Sequence, residues 1–448
     1  MQKNNSSKIS PSQIQVEFTD KPITGYGGLI IFSRFFEKLG LSALLERSLP
    51  DDRTSPNAMP VVDIVISFFA AVAAGASRFA HVQRLRADQA LHRILGLKRI
   101  PSPSTITRYF GAFRQVHVEH MTQSLREWTL KHIPTTIRSC TLDLDSSVFT
   151  RYGKQQGAKK GYNPSKPGRP SHRPIFAVLA EIKIIVNLWL RSGNTSDVGG
   201  SNQFLDETLA QIPENITIKA VRADSGFHDQ KFFGYLENKN LHYAVAAKMD
   251  KRIQRTIATS RNWKPVDEYH DVTDISYQAL TWDQPRRLIA VRERVRPNKN
   301  NRGRMLFDIP DYTYNAVFTN TDLEPVEVWR FYNQRADSEN RIKELKDDFG
   351  ASGFCLDSFF GTEATLRLIA FLYNIFVIFK SRILGDPRPT LTNIRYKVLV
   401  VGAILGSKAR KTILKISATG QLKILLKSLL DRSLIYQPSN CNAVELST

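Results

Sequence analysis

The stretch VEVWRFYNQRADSENRIKELKDDFGAS (Val326–Ser352) has the length and residue preferences of one helix, with a glycine near its end where a C-cap belongs. At about 100° per residue, Tyr332, Arg335, Glu339 and Lys346 fall within an arc of roughly 60°. The apolar residues of the helix lie directly beside that arc: Phe331, Ile342, Leu345 and Phe349. Charged groups at the rim of a buried face are costly unless something else uses them. The stretch therefore predicts an active-site wall that faces a metal and a phosphate.

Size and charge restrict the class of protein. The chain has 448 residues, of which 42% are hydrophobic, enough for two to four domains with sizeable cores. Lys and Arg number 63 against 42 Asp and Glu, which gives a formal net charge of +21. Such an excess favours a polyanionic partner, above all nucleic acid, over a merely solubilising surface.

The cysteines and the apolar runs indicate where the protein works. Cys140, Cys355 and Cys441 have no metal-type spacing, so we expect no disulfide framework and a reducing cytoplasm. The polar start MQKNNSSKIS contains no signal-peptide apolar region. Val61–Ala76 and Leu368–Phe379 are the longest apolar runs, and both are shorter than the roughly 18 clean apolar residues of a membrane helix. We expect buried core helices, no membrane partner and a cytoplasmic, nucleoid-associated location.

The middle of the chain predicts an α/β fold. Its order of three strands, helix, strand, helix and strand is expected of an RNase H-like mixed-sheet core. The predicted elements are a strand at Cys140–Phe149, two strands within Arg173–Asp197, a helix at 202–211, a strand at Ile216–Phe227, a helix at 229–238 and a strand at His242–Lys248.

Composition divides the rest of the chain around that core. We predict a disordered tail (1–20), a helical N-terminal DNA-binding domain (21–135), the first part of the core (136–248), a β-rich insertion (249–325), the second part of the core (326–385) and a basic helical C-terminal region (386–448). Within the N-terminal domain, Ser102–Arg114 is typical of the second helix of a helix-turn-helix, which would bring Arg108 to DNA. An ordinary helical hairpin has the same features, so both interpretations stay open.

Three acids far apart in the sequence are predicted to converge. Asp145 and Asp224 stand at predicted strand ends, and Glu339 stands on the helix. Carboxylates are natural ligands for Mg²⁺, and two such ions can clamp the attacking and leaving oxygens of a phosphodiester. Asp143 shares a strand face with Asp145, so either could be the first ligand; the position nearer the strand end favours Asp145. Asp224 could instead cap a turn through Asp-Ser-Gly.

These residues resemble the motifs of bacterial insertion-sequence transposases with a DDE triad. Tyr332 to Lys346 match the signature Tyr-x2-Arg-x3-Glu-x6-Lys, Asp145-Ser146-Ser147 resembles the first Asp motif, and RADSGF (Arg222–Phe227) the second. GAKKGYNPSKPGRPSHRP (157–174) resembles the basic loop of one bacterial subgroup. The resemblance covers roughly residues 140–385 together with a general helical N-terminal domain.

The resemblance implies cut-and-paste DNA transposition. In that family the three acids hold two Mg²⁺ ions, for which Mn²⁺ can substitute, and the enzyme cleaves and joins DNA strands. The same likeness assigns phosphate contacts to Arg335 and Lys346 and a hold on the DNA end to Tyr332. It also implies a homodimer or higher oligomer on double-stranded DNA, namely the terminal inverted repeats of the element and the target.

Two one-sided basic stretches predict further DNA contacts. Arg151–Arg173 contains no acid, and Arg286–Arg304 contains only Glu293. Runs of Lys and Arg of this kind track a phosphate backbone. The candidates in these stretches are Lys159, Lys160, Arg169, Arg173 and Arg287. Two alternatives to a transposase remain: a non-catalytic DNA-binding protein derived from one, and an RNase H-like nuclease.

Overall fold

The computed structural model describes residues 11–294 and 312–437, in which helices and strands alternate through the middle of the chain. The helices are α1 (Leu29–Lys38), α2 (Leu41–Ser48), α3 (Val61–Ala73), α4 (Val82–Arg86), α5 (Gln89–Ile94), α6 (Pro103–Gly111), α7 (Gln115–Lys131), α8 (Ser201–Leu209), α9 (Gln230–Asn238), α10 (Lys251–Thr259), α11 (Pro325–Asn333), α12 (Ala336–Asp347), α13 (Phe359–Phe379), α14 (Leu391–Ile394) and α15 (Gly420–Ile435). Two π-helical turns, Lys380–Leu384 and Arg395–Leu399, extend α13 and α14.

The strands form one large sheet and two small ones. They are β1 (Ile23–Thr24), β2 (Ser139–Ser146), β3 (Phe149–Thr150), β4 (Lys159–Lys160), β5 (Pro170–His172), β6 (Ile175–Leu179), β7 (Ile184–Trp189), β8 (Thr217–Ala223), β9 (His242–Ala246), β10 (Lys264–Pro265), β11 (His270–Tyr277), β12 (Arg286–Arg294), β13 (Tyr312–Thr319), β14 (Ala403–Lys408) and β15 (Lys411–Ile416). The large sheet has nine strands in the order β10-β11-β12-β13-β9-β8-β2-β6-β7.

The large sheet is mixed, as the sequence predicted. Strand β2 runs parallel to β8, which runs parallel to β9, and β2, β6 and β7 form an antiparallel meander. The predicted order of strands and helices is confirmed for β2, β6, β7, α8, β8, α9 and β9, while the short strands β3, β4 and β5 were not predicted. The strands of the 249–325 segment continue this same sheet, because β13 pairs antiparallel with β9. The β-rich segment is therefore an extension of the core sheet.

The N-terminal helices share a hydrophobic core with helices from the other end of the chain. This core runs from α1 and α3 through α13 to α14 and α15. The Phe32 ring stacks on Phe376 with centroids 4.2 Å apart, and Phe68 meets Phe354 at 5.0 Å. Helices α8 and α9 cover the opposite face of the sheet through Phe204 and other apolar side chains. The sheet is thus covered on both faces. This packing holds the carboxyl ends of its strands in fixed positions.

The predicted single helix Val326–Ser352 is two helices. Helix α11 ends at Asn333 and α12 begins at Ala336, with Gln334 and Arg335 as a turn between them. Gln334 and Arg335 both keep right-handed helical φ and ψ angles, so the chain does not reverse direction between α11 and α12. The break follows the packing, because α11 lies against β9 and β11–β13, whereas α12 contacts α13.

The basic C-terminal region (386–448), which was predicted to be helical, also contains a β-hairpin. Strands β14 and β15 form this hairpin, and α15 is the helix that follows it. The hairpin turns at Ala409 and Arg410, which have positive φ angles of 48° and 64°. Its far edge is closed by β1, which pairs with β14. This pairing with the N-terminal segment outweighs the helical preference of the lysine-rich sequence.

Helix α13 with its π-helical extension, Phe359–Leu384, is long and apolar enough to cross a membrane by length and composition. In the folded protein 89% of its most apolar window is buried. It is the core helix that the sequence predicted for Leu368–Phe379. Three other predictions fall partly or wholly outside the described residues: the start of the 1–20 tail, Cys441, and most of the Arg286–Arg304 basic stretch.

Candidate active site

Two of the predicted acids follow adjacent parallel strands. In the register of β2 and β8, Leu144 lies opposite Ala223, so the next residues, Asp145 and Asp224, stand side by side at one edge of the sheet. The Asp145 side chain keeps 15% of its surface exposed. Asp224 accepts a hydrogen bond from the Gly226 N–H at 3.0 Å through Oδ1, so it does cap a turn with one oxygen. Its Oδ2 has no hydrogen-bond partner in residues 11–294 and 312–437, and this oxygen remains free for another ligand.

Arg335 joins the sheet acids to Glu339. Its Nη2 donates to Asp145 Oδ1 at 2.9 Å, and its Nη1 donates to Glu339 Oε1 one turn along the helix. The Arg335 side chain is only 3% exposed, whereas Glu339 is 56% exposed. Within the described part of the chain, the buried Arg335 Nε has no hydrogen-bond partner. The guanidinium thus lies between two carboxylates and still has a donor to spare.

The electrostatics show that these groups form one cluster. Burial, together with the charges of Asp224 and Glu339, raises the pKa of Asp145 to about 7 against the opposing charge of Arg335. Burial also raises the pKa of Asp224, against the attraction of Arg335. The Tyr332 phenol has its pKa raised to about 12, mainly by burial, and it responds to the same three carboxylates. Perturbed carboxylates gathered in this way are typical of functional sites.

A second, fully buried ion pair lies beneath the cluster. Asp143 receives two hydrogen bonds from Arg222, at 2.6 and 2.8 Å, and one from Ser338 Oγ at 2.5 Å. Arg222 also donates to the Phe331 carbonyl at 2.6 Å. Each of these residues immediately precedes, or stands two positions before, a member of the cluster. The network therefore ties β2, β8 and the two helices together. It uses both oxygens of Asp143, which is 1% exposed, whereas Asp145 is 15% exposed and accepts from Arg335 through Oδ1.

The donor set of the cluster suits a hard divalent cation. Asp145, Asp224 and Glu339 offer carboxylate oxygens, which Mg²⁺ and Mn²⁺ prefer. In residues 11–294 and 312–437 no three acidic, His or Cys groups are close enough to form a ready-made metal site. The Arg335 guanidinium instead supplies a positive charge between Asp145 and Glu339. The three carboxylates have the ligand chemistry for a divalent cation, and in this structure the Arg335 guanidinium lies between two of them.

The remaining members of the signature lie along the same helices. Tyr332 is partly buried near the end of α11, and Lys346 is partly buried in the last turn of α12. No carboxylate lies within ion-pair distance of the Lys346 ammonium in the described ranges, which leaves its charge available to an external anion. The structure thus places Tyr332, Arg335 and Glu339 together and Lys346 about two turns beyond Glu339.

The chain matches the family model described as Transposase DDE domain group 1 over residues 6–434. It belongs to this DDE transposase family. No curated protein sequence matches the chain. Among solved structures, the cryo-EM structure of a piggyBac transposase synaptic complex with hairpin DNA is similar at 12% identity and a TM-score of 0.46, covering 94% of this chain and 87% of that one.

Asp197 of this DDE transposase lies next to the candidate active site, and the sequence did not identify it as a site residue. Asp197 is 8% exposed and receives two hydrogen bonds from Arg173, at 2.8 and 2.6 Å, and one from Ser146 Oγ. It lies so close to Gly226 that a Cβ there would be 2.1 Å from Asp197 Oδ2. The carboxylate therefore braces the residues next to Asp145 and Asp224. A lone Asp in a Gly- and Ser-rich loop carries no sequence signal for such a role.

The predicted DNA contacts on the basic stretches have different surroundings. Lys159, Lys160 and Arg169 are exposed on the small sheet of β3, β5 and β4. Arg173 is instead held by Asp197 in a mostly buried ion pair, so its charge is already compensated. Arg287 pairs with Asp274 at 2.7 Å and donates to two carbonyl groups, which gives it a structural role. Among the described residues, Arg173 and Arg287 are thus held in ion pairs, whereas Lys159, Lys160 and Arg169 form none.

Arg108 lines a separate cavity that contains several arginines. This cavity of about 580 Å³ is lined by α6 and the loop before α3, and it includes Arg86 and Arg99 as well as Arg108. All three arginines are exposed, and in the described ranges none forms an ion pair. Their arrangement is consistent with the predicted DNA contact on the Ser102–Arg114 segment.

A pH dependence arises from His172 at the base of the small basic sheet. Burial, assisted by the Arg151 charge, lowers the pKa of the ring from 6.5 to about 4, and the neutral ring accepts from Arg151 Nε at 2.9 Å. The unfolded state binds more protons below pH 6.5, so stability falls as the pH drops through the window from 6.5 to 4. We expect His172→Gln, which cannot titrate, to reduce the acid loss of unfolding free energy by about 2 kcal/mol.

The measurement is urea unfolding of both proteins between about pH 7 and pH 4.5. All other titratable groups are the same in the two proteins, so the difference between their curves isolates His172. Parallel curves would show that the ring is not held neutral in the folded state.

Proposed function

We propose that this protein is the transposase of a bacterial insertion sequence, which binds the ends of its element and catalyses metal-dependent cleavage and strand transfer on DNA. The observation that carries the proposal is the cluster of Asp145 and Asp224 at adjacent strand ends, joined to Glu339 through Arg335. The five strands β7-β6-β2-β8-β9, with α8 and α9 between them, would be its RNase H-like core. Membership of a DDE transposase family supports the same conclusion.

Asp145, Asp224 and Glu339 would hold the metal, Mg²⁺ or Mn²⁺, in this proposal. When bound, two such ions polarise a phosphodiester and activate the attacking oxygen in an in-line displacement. The acids present free oxygens at the sheet edge, and the buried Asp143–Arg222 pair fixes the backbone on which they stand. The protein's own contribution would be to hold the three carboxylates near one another on a rigid backbone.

The cations of the signature would bind the DNA strand. Arg335 has a buried Nε–H without an acceptor among the described residues, and its guanidinium suits two phosphate oxygens at once. Lys346 adds a point charge beyond Glu339, and Tyr332 presents a phenol that burial keeps protonated. Once cations occupy the acids, Arg335 would no longer be needed between Asp145 and Glu339, and it would be free to hold a phosphate.

The partners in the proposal are double-stranded element ends and target DNA. The formal charge of +21 and the exposed Lys159 and Lys160 support backbone contact with a polyanion. Joining two element ends needs two active sites, so the acting form would be a homodimer or a higher oligomer.

Glu339→Gln tests the function. We expect the variant to lose cleavage by at least about a hundredfold, because a metal ligand is lost, and to keep its affinity for DNA. The substrate is a linear fragment that carries the gene with its natural flanking DNA, incubated with Mg²⁺ or with EDTA, and strand breaks are read on a denaturing gel. Glu339 is exposed, so a collapse of DNA binding together with folding would show a structural role instead.

The products separate the transposase from its alternatives. A transposase joins the freed 3′ end to a second DNA molecule, whereas an RNase H-like nuclease leaves only breaks. A non-catalytic DNA-binding descendant gives neither product with Mg²⁺ or Mn²⁺. Joined molecules that depend on Glu339 would support the proposal, and equal activity of wild type and variant would refute it.

A further inference from the structure

Two tyrosines stand out on the small basic sheet, which we call the arm (residues 149–172). Tyr152 is 73% exposed and Tyr162 is 66% exposed, although both are large and partly apolar. Each ring is covered by one guanidinium, since Arg169 lies 5.7 Å from the Tyr152 centroid and Arg173 lies 5.3 Å from that of Tyr162. An aromatic ring with a cation on one side and free surface on the other has a face available for a second planar group.

Tyr162 is mounted on rigid backbone. The preceding Gly161 approaches the turn at Gly193 so closely that an added Cβ would be 2.0 Å from the Gly193 carbonyl oxygen. The following Asn163 is 4% exposed, donates to Thr150 Oγ1 and accepts from the Lys166 N–H. The segment on both sides of the ring is therefore fixed, and little conformational entropy is lost when a ligand stacks on it.

Tyr162 is also tied to the candidate active site by a short chain of contacts. Its covering residue, Arg173, forms two hydrogen bonds with Asp197. Asp197 in turn accepts from Ser146, which follows Asp145, and lies against Gly226, two residues after Asp224. Only two side chains, Arg173 and Asp197, thus separate the exposed ring from the residues adjoining the two acids.

We propose that Tyr162, backed by Arg173, is a stacking site for an unpaired nucleobase of the DNA strand that enters the active site. The Arg173 charge is compensated by Asp197, so the pair offers a flat face and little net charge, which suits a base better than a phosphate. Lys159 and Lys160 on the same arm supply backbone contacts. Bases inside a duplex have no free face, so the ligand class is a single-stranded or frayed DNA end.

This inference rests on the proposed function only in assuming that DNA is the substrate, and its test needs no catalysis. Full-length protein is mixed in EDTA with fluorescein-labelled duplexes that are blunt or carry a single-stranded overhang of four thymidines, and binding is followed by fluorescence anisotropy. We expect wild type to prefer the overhang about tenfold, because stacking contributes in this range for one base. The preference should persist as salt rises, while overall affinity falls.

The variants assign that preference to the ring. Tyr162→Phe should keep it and Tyr162→Ala should lose it, while Tyr396→Ala, which removes a tyrosine 75% exposed on another segment, should behave like wild type. Replacing Lys159 and Lys160 with Ala should lower the affinity for the blunt duplex and for the overhang duplex by the same factor. Retention of the preference in Tyr162→Ala, or its loss in Tyr162→Phe, would overturn the proposal.

A measurement on wild type alone guards against an unstable variant. With 2-aminopurine in the overhang, stacking on Tyr162 should quench the base fluorescence on binding, and the blunt duplex with the same base inside should change little. An overhang fluorescence that does not fall would overturn the stacking site even if no variant folds. If cleavage is never found but the overhang preference depends on Tyr162, the transposase proposal fails and the stacking site stands.

Discussion

Asp145→Asn is expected to abolish DNA cleavage, by at least about a thousandfold, in a protein that remains folded. The loss follows because the amide cannot replace a carboxylate as a metal ligand. Stability should hold because burial raises the pKa of Asp145 to about 7, so the fold does not favour its charged form. The Asn side chain oxygen can still accept from Arg335 Nη2, which now donates to Asp145 Oδ1 at 2.9 Å.

The measurement pairs a strand-cleavage assay with denaturant unfolding of the same preparation. Asp206→Asn is the control, since Asp206 is an exposed carboxylate of α8 that pairs with Lys239 and accepts from Tyr235. It should leave activity unchanged and cost at most about 1 kcal/mol of stability. Cleavage that survives in Asp145→Asn, or that is lost in Asp143→Asn without a loss of stability, would transfer the role to Asp143.

Arg222→Met is expected to lower the free energy of unfolding by about 3–5 kcal/mol. Arg222 is 2% exposed and donates two of the three hydrogen bonds that the Asp143 carboxylate accepts. Without it a buried carboxylate keeps only the Ser338 hydroxyl. An unpaired buried charge is far more costly than the absence of the pair, and methionine preserves most of the side-chain volume.

The double variant separates the two effects. Asp143→Asn combined with Arg222→Met removes both charges, so it should recover a large part of the stability that Arg222→Met loses. Ser338→Ala, which removes only one donor, should cost about 1–2 kcal/mol. Guanidinium chloride unfolding of wild type, Asp143→Asn, Arg222→Met and the double variant completes the cycle. If the double variant is no more stable than Arg222→Met, the charge of Asp143 is not the source of the loss.

Much of this arrangement follows from local sequence. The alternation in β2 and the motif RADSGF predict strand ends with Asp145 and Asp224, and the wheel predicts that Arg335 and Glu339 share one face. These predictions work because strand and helix periodicities are local properties. In the structure Asp145 and Asp224 follow adjacent parallel strands, and Arg335 contacts both Asp145 and Glu339. The catalytic roles of these residues stay predictions.

What the sequence could not predict depends on distant partners. The break at Gln334–Arg335 arises because α11 and α12 pack on different elements. The β14–β15 hairpin forms because β1, nearly the whole chain away, pairs with it. Arg173 looked like a free phosphate ligand until the fold brought Asp197 against it. In each case a contact across a long sequence separation overrides a local preference.

The shared core of the two chain ends has a consequence for synthesis. Strand β1 pairs with β14, and α1 packs against α15, so β1 and α1 complete these contacts only after the segment that contains β14 and α15 has been synthesised. The strands of the large sheet all lie between β2 and β13, so they can pair before β14 and α15 are synthesised. We therefore expect the middle of the chain to mature first, and a fragment ending before α13 to expose its N-terminal helices to aggregation and proteolysis.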